Sequence, residues 1–91
     1  MSSTAEQAST EAAAMVAVST VRQRIDDLDH DIIELLRRRQ EVSQQIQQIR
    51  TGAGGQRVEP AREELILERY RSAFGGPGRD IATALLRICR G

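Results

Sequence analysis

Arg39 is the residue of this chain that most invites a chemical question. It stands in a row of residues, Val21, Ile25, Leu28, Ile32, Leu35, Arg39, Val42, Ile46 and Ile49, that are otherwise all apolar and spaced alternately by four and three. A guanidinium is permanently charged and very costly to bury without a partner. Two readings follow. Arg39 either snorkels or pairs with Glu41 or an acid on another helix, or it forms the floor of a buried anion-binding pocket. Its company favours the pocket, because Arg22 and Arg50 each lie one residue after a seam position and so share one edge of the helix. Arg62, near the start of a later helix, could complete a cluster suited to a small molecule with more than one carboxylate.

Other chemistries lack their residues. Cys89 is the only cysteine and His30 the only histidine, so one chain holds no disulfide, no Cys/His zinc site and no Ser-His-Asp triad. Asp26, His30 and Glu34 recur every four residues, but on the face opposite the seam, where an exposed charged stripe is the simpler reading and no metal is expected. Glu34 and Glu41 flank Arg37 and Arg38 at helical spacing, which makes those two an ion-paired, solvated face. Cys89 is expected to be a small buried residue without special reactivity.

The elements that must position these residues are helices. No Gly or Pro interrupts 16–51, and the seam from Val21 to Ile49 covers about four heptads, roughly 43 Å at 1.5 Å per residue. A compact monomer of this length is only about 30 Å across, so the helix needs a second chain to cover it. An intertwined antiparallel helical homodimer is therefore expected. Arg22 and Arg50 are separated by roughly 42 Å along one helix and cannot meet within a chain. With the two-fold axis near Leu35, however, Arg22 of one chain falls close to Arg50 and Arg39 of the other. Each dimer would then hold two Arg-rich pockets, each built from both chains.

Thr51 to Val58 carries three glycines and predicts a mobile loop, a candidate lid. Pro60 opens a second helix with Leu65, Ile66, Leu67 and Tyr70 as its apolar side, ending at 74–78. Asp80 is expected to cap a third helix running through Ile81, Ala84, Leu85 and Ile88 to the last residues. The fold class is all-α, one long and two short helices. Residues 1–15, rich in Ser, Thr, Ala and Glu without periodicity, are expected to be a disordered tail before a domain over 16–91.

The 91 residues suffice for one domain. Thirteen Arg, with no Lys, balance thirteen Asp plus Glu. There is no global positive field, and Tyr70 and Phe74 are the only aromatics, so no nucleic acid or anionic lipid partner is expected. The first 21 residues lack Arg and Lys, and their longest apolar run, 12–18, is short. Neither a signal peptide nor a membrane span is expected, which leaves a cytoplasmic protein.

The segment Val21-Arg22-Gln23-Arg24-Ile25-Asp26-Asp27-Leu28-Asp29, followed by Leu35-Leu36-Arg37-Arg38-Arg39, Val42-Ser43, Arg50 and Arg62-Glu63, resembles the all-helical class of chorismate mutases. The resemblance covers about residues 18–91. The short chain, the Gly-rich loop and the ending Leu85-Leu86-Arg87-Ile88-Cys89-Arg90-Gly91 are similar to the small intracellular branch found in actinobacteria. It implies an intertwined helical dimer that rearranges chorismate to prephenate without a cofactor, on the way to phenylalanine and tyrosine. Carried over by position, Arg22 of the partner chain and Arg62 hold carboxylates, and Arg39 binds the enolpyruvyl carboxylate. Arg50 faces the breaking ether oxygen. Glu63 accepts a hydrogen bond from the ring hydroxyl, and Glu59 has a similar role, although both acids also suit a helix start on dipole grounds alone. Thr83 and Arg87 keep the spacing of a Ser/Thr and Gln pair of the better-known branch, and Arg87 either replaces the Gln as a donor to the ether oxygen or points outwards. The branch further implies activation by the first shikimate-pathway enzyme, DAHP synthase. An isochorismate pyruvate lyase and a 4-amino-4-deoxychorismate mutase share the fold, and a non-catalytic helical dimerisation module is the alternative of another class.

Overall fold

A computed structural model describes residues 3–55 and 59–90. The elements are three helices, α1 (Ser3–Gly52), α2 (Pro60–Phe74) and α3 (Gly76–Arg90), with no strand among the described residues. The residues fall into two compact units, one reaching Glu34 and the other starting at Leu35.

The first unit is α1 up to Glu34, exposed along nearly its whole length. Helix begins at Ser3, inside the segment 1–15 that composition marks as a disordered tail, and here the structure differs from the sequence reading. The physical reason is propensity. Ala5, Ala8, Ala12, Ala13 and Ala14 are the best helix formers, and no Gly or Pro intervenes. The hydroxyl of Thr10 donates back to the Glu6 carbonyl at 2.8 Å and that of Thr20 to Val16 at 3.0 Å, which satisfies these groups inside the helix.

The second unit contains the end of α1 together with α2 and α3. Its core is the α2–α3 interface, where Ile66, Ala82 and Leu86 are buried and Leu67 and Tyr70 pack against them. Leu85 and Cys89 are the other buried side chains of α3. The end of α1 reaches this core through long polar side chains, among them Gln40, whose amide donates to the Ile88 carbonyl at 3.2 Å.

Two short features shape the unit. Gly75 adopts φ 71° and donates its N–H to the Arg71 carbonyl at 2.6 Å, closing α2. Helix α3 then starts at once, at Gly76, so Asp80 lies a turn inside it and is not its cap. Pro77 explains the earlier start, since a missing N–H is harmless in a first turn and its fixed φ suits one. Of the loop expected over 51–58, Thr51 and Gly52 are still helical, and residues 56–58 lie outside the described residues.

The apolar seam of α1 is uncovered in the single chain. Val21, Ile25, Leu28 and Ile32 in the first unit are all exposed, and in the second unit exposure runs from 42% at Ile46 to 72% at Ile49. So many large side chains in one periodic row exceed the scattered apolar exposure of a monomer surface.

Gly78 is where α3 touches α2 most closely, because a Cβ there would sit 2.8 Å from the Tyr70 carbonyl carbon and still nearer its oxygen. Backbone cannot yield as a flexible side chain would. Gly78→Ala is therefore expected to destabilise the chain by about 1–3 kcal/mol, measured by urea denaturation, whereas Gly76→Ala, with open space around it, should cost far less.

Candidate active site

The second unit holds a cleft lined from all three helices. Helix α1 contributes Arg39, Ser43, Ile46, Gln47 and Arg50, α2 and its leading residue contribute Glu59, Arg62, Glu63 and Ile66, and α3 contributes Leu86, Cys89 and Arg90. The α1 set recurs at intervals of three and four, so one face of a helix presents it. The cleft is open to solvent and encloses about 130 Å³.

Arg39 is half-buried and reaches α3, where its Nη1 donates to the Cys89 Sγ at 2.9 Å. The guanidinium thus spans the cleft instead of turning to Glu41. Partial exposure lowers the desolvation cost that full burial of a seam cation would carry. Cys89 is buried, as its residue type suggests, and its sulfur also serves as an acceptor at the site.

Arg50 stands in the last turn of α1, where the carbonyl end of the helix favours a cation. Its Nη2 lies 3.0 Å from the Glu59 Oε2, with side-chain exposures of 26% and 55%. Glu59 is the N-cap residue of α2, yet its side chain makes no capping bond. Its backbone carbonyl accepts from the Glu63 N–H at 3.0 Å. The carboxylate is therefore engaged across the cleft with Arg50, beyond any general interaction with the helix dipole.

Glu63, in the first turn of α2, meets Arg90 from α3. The Arg90 Nε donates to Oε2 at 3.1 Å and Nη2 donates to Oε1, a two-point engagement of one carboxylate by one guanidinium. Arg62 lines the cleft from an exposed position beside them.

Of the residues singled out in the sequence, Arg39, Arg50, Glu59, Arg62 and Glu63 come together here. Arg22 does not line this cleft. It belongs to the first unit, where with Ala17, Val18, Val21 and Ile25 it borders an apolar hollow. Thr83 is exposed and donates its hydroxyl to the Arg79 carbonyl at 3.0 Å, and Arg87 is exposed; neither lines the cleft. Sequence reasoning gave no role to Arg90 and no place in the site to Gln47 or Cys89. The signal for Cys89 and Arg90 was available as spacing, since each follows a buried leucine, Leu85 or Leu86, by four residues on α3. Among the described residues no group of His, Cys, Asp and Glu is arranged to hold a metal ion.

Four guanidinium groups and two carboxylates thus converge on one open space. Such a site can grip a small polyanion at several points and oppose negative charge that grows at a chosen atom. Reactions that need only a held conformation and a fixed field fit this set of residues.

Comparison with known proteins points the same way. A family model described as chorismate mutase type II matches residues 21–89. The chain is 42% identical over 78 residues to an intracellular chorismate mutase of Mycolicibacterium smegmatis, covering 86% of this chain and 75% of that protein. It is 45% identical over 74 residues to one of Mycobacterium tuberculosis, covering 81% and 70%. Among solved structures it is similar to a chain of the non-covalent complex of DAHP synthase and chorismate mutase from Corynebacterium glutamicum with bound transition state analog. That match has a TM-score of 0.82 at 33% identity and covers 86% of this chain and 94% of the other.

The Arg50–Glu59 pair is partly solvated and should contribute little to stability. Glu59→Gln is expected to change the unfolding free energy by less than about 1 kcal/mol, checked by urea titration; a larger loss would mean that the pair holds the end of α1 in place.

Proposed function

This chain belongs to the chorismate mutase type II family, and on that premise we propose how its own residues carry the reaction. The activity is that of a chorismate mutase, an isomerase that converts chorismate to prephenate. The step is a unimolecular Claisen rearrangement, in which the ether C–O bond breaks as a C–C bond forms within the same molecule. No proton is transferred and no group leaves. Catalysis then consists of holding the flexible dicarboxylate in its reactive, chair-like conformer and stabilising the charge that develops on the ether oxygen.

The observation that carries the assignment of roles is the convergence of Arg39, Arg50, Arg62, Glu59 and Glu63 on one cleft. Arg39 takes the enolpyruvyl carboxylate. Arg62 takes a second carboxylate together with the partner subunit's Arg22. Arg50 leaves Glu59 to face the ether oxygen and is the principal electrostatic catalyst. Glu63 accepts the hydrogen bond of the ring hydroxyl, and Glu59, once released by Arg50, adds a second acceptor. Thr83 and Arg87 have no part in this reading. Residues 16–91 form the catalytic domain, and 1–15 is appended to it.

The working form is an antiparallel homodimer. The uncovered seam supports this, since Val21, Leu28, Leu35 and Val42 lie more than half exposed on one chain, and a second copy of the same helix offers a matching surface. It would also bring Arg22 to the cleft of its partner. A complex with DAHP synthase, as in the Corynebacterium glutamicum structure, would activate the enzyme. The chain would work inside the cell, as its relatives named intracellular chorismate mutase do. No helix of the described residues is long and apolar enough to cross a membrane.

The first test is to mix the purified chain with chorismate, with 4-amino-4-deoxychorismate and with isochorismate separately, and to identify the products by chromatography against enzyme-free controls. Prephenate is expected; rearranged amino product or released pyruvate in its place would overturn the substrate assignment. Arg50→Ala should lower kcat by about 100-fold or more with the dimer intact, while Arg50→Lys keeps more activity because a compact cation still opposes the oxygen charge. Leu28→Asp should dissociate the dimer in sedimentation experiments and abolish turnover. Equal turnover with and without the cognate synthase would count against activation by that partner.

A further inference from the structure

The contact between Arg90 and Glu63 is not required by the catalytic scheme above. Its two-point geometry engages both oxygens of the carboxylate, through Nε to Oε2 at 3.1 Å and through Nη2 to Oε1. Glu63 is the more buried partner, with side-chain exposure of 21% against 46% for Arg90, and both border the cleft. Glu63 also stands in the first turn of α2, where the helix end adds positive potential. Its negative charge is thus opposed from two sides before any ligand arrives.

We propose that Arg90 is a specificity-determining positioning residue, acting through Glu63 to make the site accept a ring hydroxyl and disfavour a ring ammonium. The inference rests on the reading of Glu63 as the acceptor for the ring substituent. A carboxylate in a two-point pair still offers a further lone pair on each oxygen. A neutral hydroxyl needs only one such lone pair and finds it already aimed, because Arg90 fixes the rotation of the carboxylate. An ammonium needs uncompensated negative charge. At Glu63 it would meet a carboxylate whose charge is already shared with Arg90, and the Arg90 guanidinium itself would be a like charge a few ångströms away. A simple cross-link between α2 and α3 would use the same contact without affecting which substrate is chosen, and this difference makes the proposal testable.

The experiment compares the full-length wild type, Arg90→Gln and Arg90→Lys, measuring kcat/KM for chorismate and for 4-amino-4-deoxychorismate, with thermal unfolding of each variant as a control on folding. The wild type is expected to prefer chorismate. Arg90→Gln should shift the ratio of the two kcat/KM values towards the amino substrate by about tenfold, the scale of one partly solvated charge. Arg90→Lys, which keeps the cation but loses the fork, should retain most of the preference. Equal losses on both substrates would overturn the proposal and leave Arg90 a structural cross-link. A rise in chorismate turnover in Arg90→Gln would also overturn it, because the pair would then obstruct Glu63. Absence of chorismate turnover by the wild type is a separate outcome, which would overturn the substrate assignment and this inference with it.

Discussion

Everything in this small site depends on keeping permanent cations at a helix interface without losing them to water or to collapse. A guanidinium cannot shed its charge, so each one in the cleft needs an acceptor even when no ligand is bound. The chain supplies them from its own elements for three of the four, and Arg62 is exposed to water. Arg39 uses the Cys89 sulfur, Arg50 uses Glu59, and Arg90 uses Glu63. These acceptors come from α3, from the residue before α2, and from the first turn of α2. The packing of α2 against α3 places these acceptors, and each then satisfies one cation at the cleft.

The internal pairs are also weak enough to be exchanged. Arg50 and Glu59 keep part of their solvation, and pairs in that condition contribute little net free energy. A dicarboxylate that engages several guanidinium groups at once can displace such partners at small cost, and the displaced groups are already close to their working positions. In the proposed reaction, preorganisation would come from these internal counterions, which would hold the cationic side chains extended into the cleft and reduce the side-chain freedom to be lost on binding.

Packing imposes a second constraint. The core of the second unit consists of a handful of side chains between α2 and α3, and Gly78 is small because the Tyr70 backbone passes directly beside it. Such a core is slight for a chain of this length. The greater part of the apolar side chains of α1 remains uncovered, so the surface that would stabilise the long helix is the same surface that a second copy would bury. In the proposed dimer, stability and assembly of the site would have one physical origin, the heptad row interrupted by Arg39.

The sequence by itself determined the helical class and the long first helix, and its spacing marked Arg39, Arg50 and Arg62 as a cluster, whereas Glu59 and Glu63 were named only through the family resemblance. The helices and the cluster were legible because helical spacing is local, and because a cation in an apolar row conflicts with its surroundings unless a site explains it. Other features were read from the structure, some of them local and some of them contacts between elements distant in the chain. Helix α3 begins at Gly76 because Gly75 alone turns the chain and Pro77 suits the first turn. Helix from Ser3 reflects alanine propensity that a compositional argument about burial undervalues. The pairing of Arg90 with Glu63 and of Arg39 with Cys89 joins residues far apart in sequence. No periodicity in one helix encodes which atom of another it will meet; that depends on how α2 and α3 pack around Ala82 and Gly78, and only the tertiary structure fixes it.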